Sequence, residues 1–234
     1  MRSARLIPLV LVAVLAAGTT PAHAWANGAF GANTYGTHDW VLRQAIRLAG
    51  ARADWVCVRT SLLATDDPDT VDGIDHASGT WWHVYDRWGS VWGGAPEAVR
   101  VWFGRAQRRL AAGDRCGASR ALGIMSHFVA DVAQPMHTDG SLALEDSVHG
   151  DYESAVDRRC TASACRYHAR SDGRDPAKPY WRTVHLAGLA HPYYAELVKG
   201  YAAHGYGARV DAITRRELNR AVNAVADLIT SLRR

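Results

Sequence analysis

Two pairs of potential metal ligands lie within residues 122–153. His127 and Asp131 are four residues apart, and His149 and Glu153 repeat that spacing. Apolar residues recur around the first pair with helical period, and side chains four apart on a helix leave from the same face. Each pair can therefore present an imidazole and a carboxylate to one metal ion.

A fifth candidate ligand lies between the two pairs. Pro135 ends the first helix and leaves His137 on the turn that follows it. Five imidazole or carboxylate groups in 27 residues are too many for one tetrahedral zinc ion. Histidines and acids also occur on solvated helix faces, and any single pair is open to that interpretation. The two pairs together with His137 favour a site for more than one metal.

The N-terminal 24 residues are typical of a secretory signal. A basic start precedes an apolar run from Leu6 to Gly18, and the segment ends at Ala22-His23-Ala24, an Ala-x-Ala cleavage site. The apolar run is too short for a stable membrane anchor. We therefore predict a secreted, extracellular protein in which residues 1–24 are removed and residues 25–234 form one globular domain.

Cleavage after Ala24 makes Trp25 the first residue, and its free α-amino group and carbonyl could chelate a metal. The alternative is a terminus that frays, as most do. Thr37 can cap a helix that begins at His38. A histidine at a helix start is usually a surface polar group, so His38 gains weight only in company.

An acidic segment, ATDDPDTVDGIDHASGT, is too rich in Pro, Gly and Asp for a regular helix or strand and predicts a loop. Several of its aspartates could ligate a metal, although most acids in such loops stay solvated. His83 follows within WWHVYD, where its aromatic neighbours are equally typical of a packed core histidine.

Composition limits the remaining possibilities. The chain has 234 residues, 48% of them hydrophobic, which fits one domain with a sizeable core. A formal charge of +4 is too weak for a dedicated nucleic-acid binder. In an exported protein the four cysteines are expected to form disulfides. Three pairings are possible, and we favour Cys57 with Cys116 and Cys160 with Cys165.

The elements that position these residues are predicted to be helices throughout, because no segment alternates with period two for long enough to form a strand. The fold class is therefore all-α, in a single compact multi-helix domain. The predicted helices are 38–49, 54–63, 96–112, the segment carrying His127 and Asp131, 149–156, 179–189, 192–203 and 209–232.

With these residues in hand, the chain resembles the bacterial zinc-dependent phospholipases C, a family related to the fungal single-strand-specific zinc nucleases. The resemblance covers nearly all of the mature chain. It is strongest in LGIMSHFVADVAQPMH followed by HGDYE, and the tryptophan directly after the cleavage site is an independent match.

The resemblance implies an all-α fold with three zinc ions per chain. One zinc would be held by the α-amino and carbonyl groups of Trp25, by His38 and by Asp131 as a bridge. The second would share Asp131 and be held by His83, His127 and a loop aspartate. The third would be held by His137, His149 and Glu153.

The loop aspartate is assigned to Asp69, with Asp66 as the alternative, and Asp69 could also accept a proton or orient the attacking water as a catalytic group. Phospholipases of this family that prefer choline headgroups carry an acid close behind the N-terminal Trp. This chain has Asn27 and Gly28 there, so their headgroup preference does not transfer.

The activity implied is hydrolysis of a phosphodiester, with phospholipase C as the first hypothesis and phospholipid as the substrate. The spacing between Trp25 and His38 resembles that of the phospholipases, whereas the fungal nucleases place the histidine nearer the terminus. A secreted single-strand nuclease or nucleotidase is the second hypothesis, and a zinc-stabilised binding protein without turnover is the third. We further expect transient contact with a membrane surface, no stable nucleic-acid complex, and a monomer.

Overall fold

A computed structural model describes residues 35–88, 92–162, 164–173 and 177–232. Within those ranges the chain forms nine α-helices and no strand, so the all-α prediction is confirmed. The helices are α1 (Thr37–Ala49), α2 (Val58–Leu63), α3 (Asp67–Thr70), α4 (Ala95–Ala111), α5 (Arg115–Ala133), α6 (His149–Asp157), α7 (Pro179–Ala190), α8 (Tyr194–His204) and α9 (Ala208–Ser231).

Helix α5 lies at the centre of the molecule and packs against α1, α2, α4, α7 and α9. Its residues from Ala121 to Ala133 are all buried. A helix surrounded by other helices is apolar on every side, and α5 fits this except at a few polar positions. Those exceptions include His127 and Asp131, which are consequently carried into the interior.

Helix α9 packs along the core through one face. Its apolar stripe, which includes Ile213, Leu218 and Val225, packs against α1, α5, α7 and α8. The stripe recurs every three to four residues, as expected for an amphipathic helix on a globular core. Helices α1 and α5, which both carry candidate ligands, therefore pack against the same long helix.

Helices α2 and α5 approach each other closely. A Cβ atom at Gly123 would lie 2.2 Å from the carbonyl oxygen of Ser61. A disulfide between Cys57 and Cys116 joins the starts of the same two helices, and the second disulfide is Cys160–Cys165. Both pairings favoured from the sequence are therefore confirmed.

Three local predictions were wrong. The residue before α1 is Gly36, whose backbone N–H donates to Asp39, so Thr37 is not the cap. The helix predicted from residue 54 begins at Val58, because residues 50–53 form a 3₁₀ turn and Cys57, with φ −77° and ψ 86°, is not helical. The acidic segment is not entirely loop, since Pro68 in the first turn allows the short helix α3.

None of the helices in the described ranges combines the length and the apolar character that crossing a bilayer requires.

Candidate metal centre

The centre is built on the buried face of α5. His127 and Asp131 lie one helical turn apart with fully buried side chains, and His127 Nε2 is 3.3 Å from Asp131 Oδ2. The four-residue spacing in the sequence thus places an imidazole and a carboxylate side by side on one face of the helix. The burial means that other elements, and not solvent, must supply the groups around them.

Three other segments bring candidate ligands to this point. His38 comes from the first turn of α1, and its Nε2 is 3.5 Å from Asp131 Oδ1. His83 follows a 3₁₀ turn, and its Nδ1 is 2.9 Å from Asp131 Oδ2. Asp69 comes from α3, with Oδ1 3.7 Å from His83 Nδ1 and 3.6 Å from His127 Nε2.

The two oxygens of Asp131 therefore face different histidines. Oδ1 faces His38, whereas Oδ2 faces His83 and His127. The rings of His38 and His127 are stacked with centroids 4.0 Å apart. Asp131 consequently lies between two groups of potential ligands, in the position expected of a bridging carboxylate.

A further group forms where α6 meets the turn after α5. His137 Nε2 and His149 Nε2 are 3.1 Å apart, and Glu153 Oε1 is 2.8 Å from His149 Nε2 and 3.6 Å from His137 Nε2. All three residues are buried. The second four-residue pair and the intervening histidine are thus brought together.

Among the described residues, three sets of potential ligands have atoms within 4.8 Å of one another. They are His38, His127 and Asp131; Asp69, His83 and His127; and His137, His149 and Glu153. Every internal residue assigned from the sequence as a ligand, with Asp69 as the loop aspartate, belongs to one of these sets. Trp25, the predicted cleavage site and residues 27 and 28 lie outside the described residues.

Backbone carbonyl groups orient two of the histidines. His127 Nδ1 lies 2.7 Å from the carbonyl oxygen of Thr65, and His137 Nδ1 lies 2.9 Å from that of His83. A carbonyl oxygen only accepts, so each Nδ1 carries a proton, and in the neutral ring the Nε2 lone pair faces the cluster. This is the tautomer that a metal ligand requires.

The electrostatics couple the imidazoles to the carboxylates. Burial alone would lower the pKa of His127, but the carboxylates of Asp131 and Asp69 raise it to about 9. Burial opposes ionisation of Asp131, yet the neighbouring His127 and His83 hold its pKa well below the usual range. In the same way burial disfavours the charged form of His149, but Glu153 and Glu145 raise its pKa to about 10.

These residues fit a divalent metal. Asp131 Oδ1 is buried and accepts no hydrogen bond, although an unsatisfied buried carboxylate oxygen is costly. A cation at that oxygen would satisfy it, and the excess of imidazole over carboxylate suits zinc better than calcium or magnesium. By the chemistry of their donor atoms, the three ligand sets therefore fit zinc.

The structure separates the two candidate loop aspartates. Asp69 joins His83 and His127, whereas Asp66 is buried beside Thr65, whose hydroxyl lies 3.3 Å from Asp66 Oδ1. Asp66 also lies near Asp39, a carboxyl whose pKa burial raises to about 7. Asp66 therefore lies beside the N-terminal ends of α1 and α3, and it belongs to none of the three ligand sets.

Sequence reasoning did not identify two polar residues that contact the third set. The amide of Gln134 donates to Glu153 Oε1 at 2.8 Å, and Glu145 Oε1 lies 3.2 Å from His149 Nδ1. Glu145 precedes His149 by the same four-residue step that separates His149 from Glu153. That spacing was a usable signal in the sequence.

Known structures share the fold of this chain at low sequence identity. No protein-family model matches the chain, and no curated protein is similar to it. An alpha-toxin from an avian strain of Clostridium perfringens superposes with a TM-score of 0.59 and 15% identity over 88% of this chain. The alpha toxin of Clostridium absonum gives a TM-score of 0.58 and 16% identity over 84% of this chain.

The chain spans 65% and 64% of the length of those two toxins. At such low identity the similarity establishes the fold alone. The chain therefore has the fold of the bacterial zinc-dependent phospholipases C, the family that its motifs resemble.

Proposed function

We propose that this protein is a secreted, zinc-dependent phosphodiester hydrolase of the phospholipase C type, releasing diacylglycerol and a phosphorylated headgroup. The observation that carries the proposal is the position of Asp131 within one buried cluster, where Oδ1 faces His38 and Oδ2 faces His83 and His127. The alpha-toxin fold supports the same conclusion.

The internal ligands would be divided among three zinc ions. Asp131 would bridge the first two, with His38 on one side and Asp69, His83 and His127 on the other. His137, His149 and Glu153 would hold the third. The α-amino and carbonyl groups of Trp25 would complete the first site, which remains a prediction because that residue lies outside the described ranges.

Zinc bound in these sets would act as a Lewis acid that lowers the pKa of water toward about 7 and offsets negative charge on the phosphate oxygens. Asp69 is suited to a separate task. Its side chain is 10% exposed, whereas those of Asp131 and Glu153 are 0% and 3% exposed. Asp69 is therefore the most water-accessible of these three carboxylates, and it would orient the attacking molecule or accept its proton.

Two exposed tryptophans support contact with a lipid surface. Trp181, in the first turn of α7, is 64% exposed. Trp88 is 45% exposed and packs near Gly188, seven residues further along the same side of α7. Arg87 directly precedes Trp88, and Lys178 lies three residues before Trp181. Tryptophan with basic neighbours is typical of contact with lipid headgroups.

Activity on matched substrates tests the proposal. Purified mature protein, with zinc present, would be given phosphatidylcholine, phosphatidylethanolamine and single-stranded DNA and RNA at equal phosphodiester concentration. We expect diacylglycerol from a lipid to appear faster than nucleotides, and we expect chelation to abolish that activity and added zinc to restore it.

Two results would contradict the proposal in different ways. Rapid release of nucleotides without diacylglycerol would make the protein a nuclease on the same metal site. Zinc binding without turnover of any of these phosphodiesters would make it a zinc-stabilised binding protein.

A further inference from the structure

The third ligand set differs from the others in the partner of one histidine nitrogen, the ring nitrogen that faces away from the cluster. His149 uses both ring nitrogens: Nε2 faces His137 and Glu153, while Nδ1 lies 3.2 Å from Glu145 Oε1. For His127 and His137, the corresponding Nδ1 faces a neutral carbonyl group. His149 therefore has an anionic partner where those two have a backbone oxygen.

Glu145 is itself held in place. It lies in a 3₁₀ turn before α6, and its side chain is 12% exposed. Its second oxygen, Oε2, accepts a hydrogen bond from the hydroxyl of Tyr194. That hydroxyl in turn accepts from the backbone N–H of Leu142 at 3.0 Å.

Directionality follows from the donors. The N–H of Leu142 can only donate, so the Tyr194 hydroxyl accepts from it and gives its own proton to Glu145. Tyr194 is 2% exposed and belongs to α8, 49 residues from Glu145. Its contacts place the carboxylate from outside the turn, so the position of Glu145 depends on how α8 packs.

We propose that Glu145, oriented by Tyr194, is a positioning residue for metal binding at the third set. The carboxylate accepts the Nδ1 proton of His149, which directs the Nε2 lone pair at the ion and restricts rotation of the ring. Such carboxylate–histidine–metal arrangements typically contribute 10- to 100-fold to metal affinity. This inference rests on the proposed zinc function of the site.

Glu145→Gln and Tyr194→Phe test this role, with Asp146→Asn as the matched control. Gln keeps the shape of Glu145 but removes its charge, and Phe removes only the hydroxyl that orients it. Asp146 is the exposed acid next to Glu145, so its variant makes the same charge change one residue away.

Zinc affinity would be measured on the mature protein by competition with a chromophoric chelator, which resolves the sites by strength. We expect Glu145→Gln to weaken one site by roughly 10- to 100-fold and leave the others unchanged. Tyr194→Phe should weaken the same site by less, and Asp146→Asn should match the wild type. Cobalt-substituted Glu145→Gln should also show an altered visible absorption band, which a purely structural role would not produce.

Wild-type affinity at every site in Glu145→Gln would overturn the inference, and so would an equal loss at all sites. Thermal unfolding of the metal-free variants separates a loss of affinity from a loss of folding, and Tyr194→Phe is the milder variant if Glu145→Gln unfolds. Failure of the proposed function is recognised separately, because the wild-type protein would then bind no zinc or hydrolyse no phosphodiester.

Discussion

A buried carboxylate keeps its charge only when cations or hydrogen-bond donors surround it, because removal from water is otherwise too costly. Asp131 meets this condition through three imidazoles contributed by α1, α5 and the segment before α4. With zinc bound, the metal would take over the role of these imidazoles. The charge on Asp131 is therefore the feature on which the proposed two-metal part of the site depends.

Asp131→Asn should reduce the zinc content by at least one ion per chain, since the amide keeps the size of the side chain but removes the bridging charge. The third set does not include Asp131 and should retain its metal. Elemental analysis after dialysis measures the change, with Asp54→Asn, an exposed acid distant in sequence, as the control. An unchanged zinc content in Asp131→Asn would argue against a bridge.

Glu217 is a second buried acid, remote from the ligands in sequence. Its side chain is fully buried on α9, and one oxygen accepts from Arg220 while the other has no hydrogen bond. Burial raises its pKa to about 7 despite the neighbouring arginine. Between its ordinary pKa and about 7, the folded state binds more protons than the unfolded state. The free energy of unfolding must therefore fall as pH rises through that window.

Glu217→Gln should remove this decrease in the free energy of unfolding. We expect the variant to match the wild type near pH 4.5 and to exceed it at pH 8 by on the order of 1–3 kcal/mol. Urea unfolding of zinc-depleted protein at both pH values measures the difference. Glu196→Gln, which alters an exposed ion pair with Arg209, should change the profile little. Equal pH profiles for Glu217→Gln and the wild type would mean that the pKa of Glu217 is the same in the folded and unfolded states.

At the scale of elements, the position of α2 against α5 determines how the loop ligand reaches the cluster. Helix α3, which carries Asp69, follows α2 after three residues. The carbonyl of Thr65, in that short connection, also accepts from His127. A shift of α2 would therefore move one ligand and the support of another.

Gly123→Ala tests this packing. The new Cβ would lie 2.2 Å from the Ser61 carbonyl oxygen and 2.8 Å from Ala64 Cβ. Neither can move without displacing α2, so we expect destabilisation of roughly 1–3 kcal/mol. Gly104→Ala on α4 is the matched control. Its Cβ would meet only the flexible end of Arg108 at 3.4 Å, and alanine favours a helix over glycine by about 1 kcal/mol.

Denaturant unfolding should therefore move in opposite directions for the two alanine variants. If Gly123→Ala were as stable as Gly104→Ala, the α2–α5 contact would be looser than these distances indicate.

The whole molecule is cross-linked by two disulfides that close loops of very different length. Cys57 and Cys116 are 59 residues apart and join α2 to α5, whereas Cys160 and Cys165 are 5 apart within one turn. A cross-link restricts the unfolded chain more when the loop is longer. The chain-entropy relation gives about 4 kcal/mol for the long loop and about 2 kcal/mol for the short one.

Replacing Cys57 and Cys116 together by alanine should lower the free energy of unfolding more than replacing Cys160 and Cys165. Zinc-depleted proteins should be compared, so that metal binding does not mask the difference. The reverse order would mean that the short disulfide acts through native contacts and not through the unfolded chain.

Much of the centre was predictable because its strongest signals are local. The step from His127 to Asp131, its repeat from His149 to Glu153, and Pro135 between them each express helix geometry that a few adjacent residues determine. The helical character of the chain followed from the same periodicity. The predicted helix ends were less accurate where neighbouring elements intervene. Helix α2, for example, begins at Val58, directly after the disulfide-bonded Cys57.

Other features were decided only when distant segments packed together. Asp66 and Asp69 are alike in the sequence, but the single turn of α3 directs only Asp69 to His83 and His127. The support of Glu145 by Tyr194 joins residues 49 apart, and Asp131 meets His83 across 48 residues. Spacing along a helix determines which side chains share a face, because the hydrogen-bonded backbone is periodic. Which faces meet depends on how the whole core packs, and no short stretch of the chain contains that information.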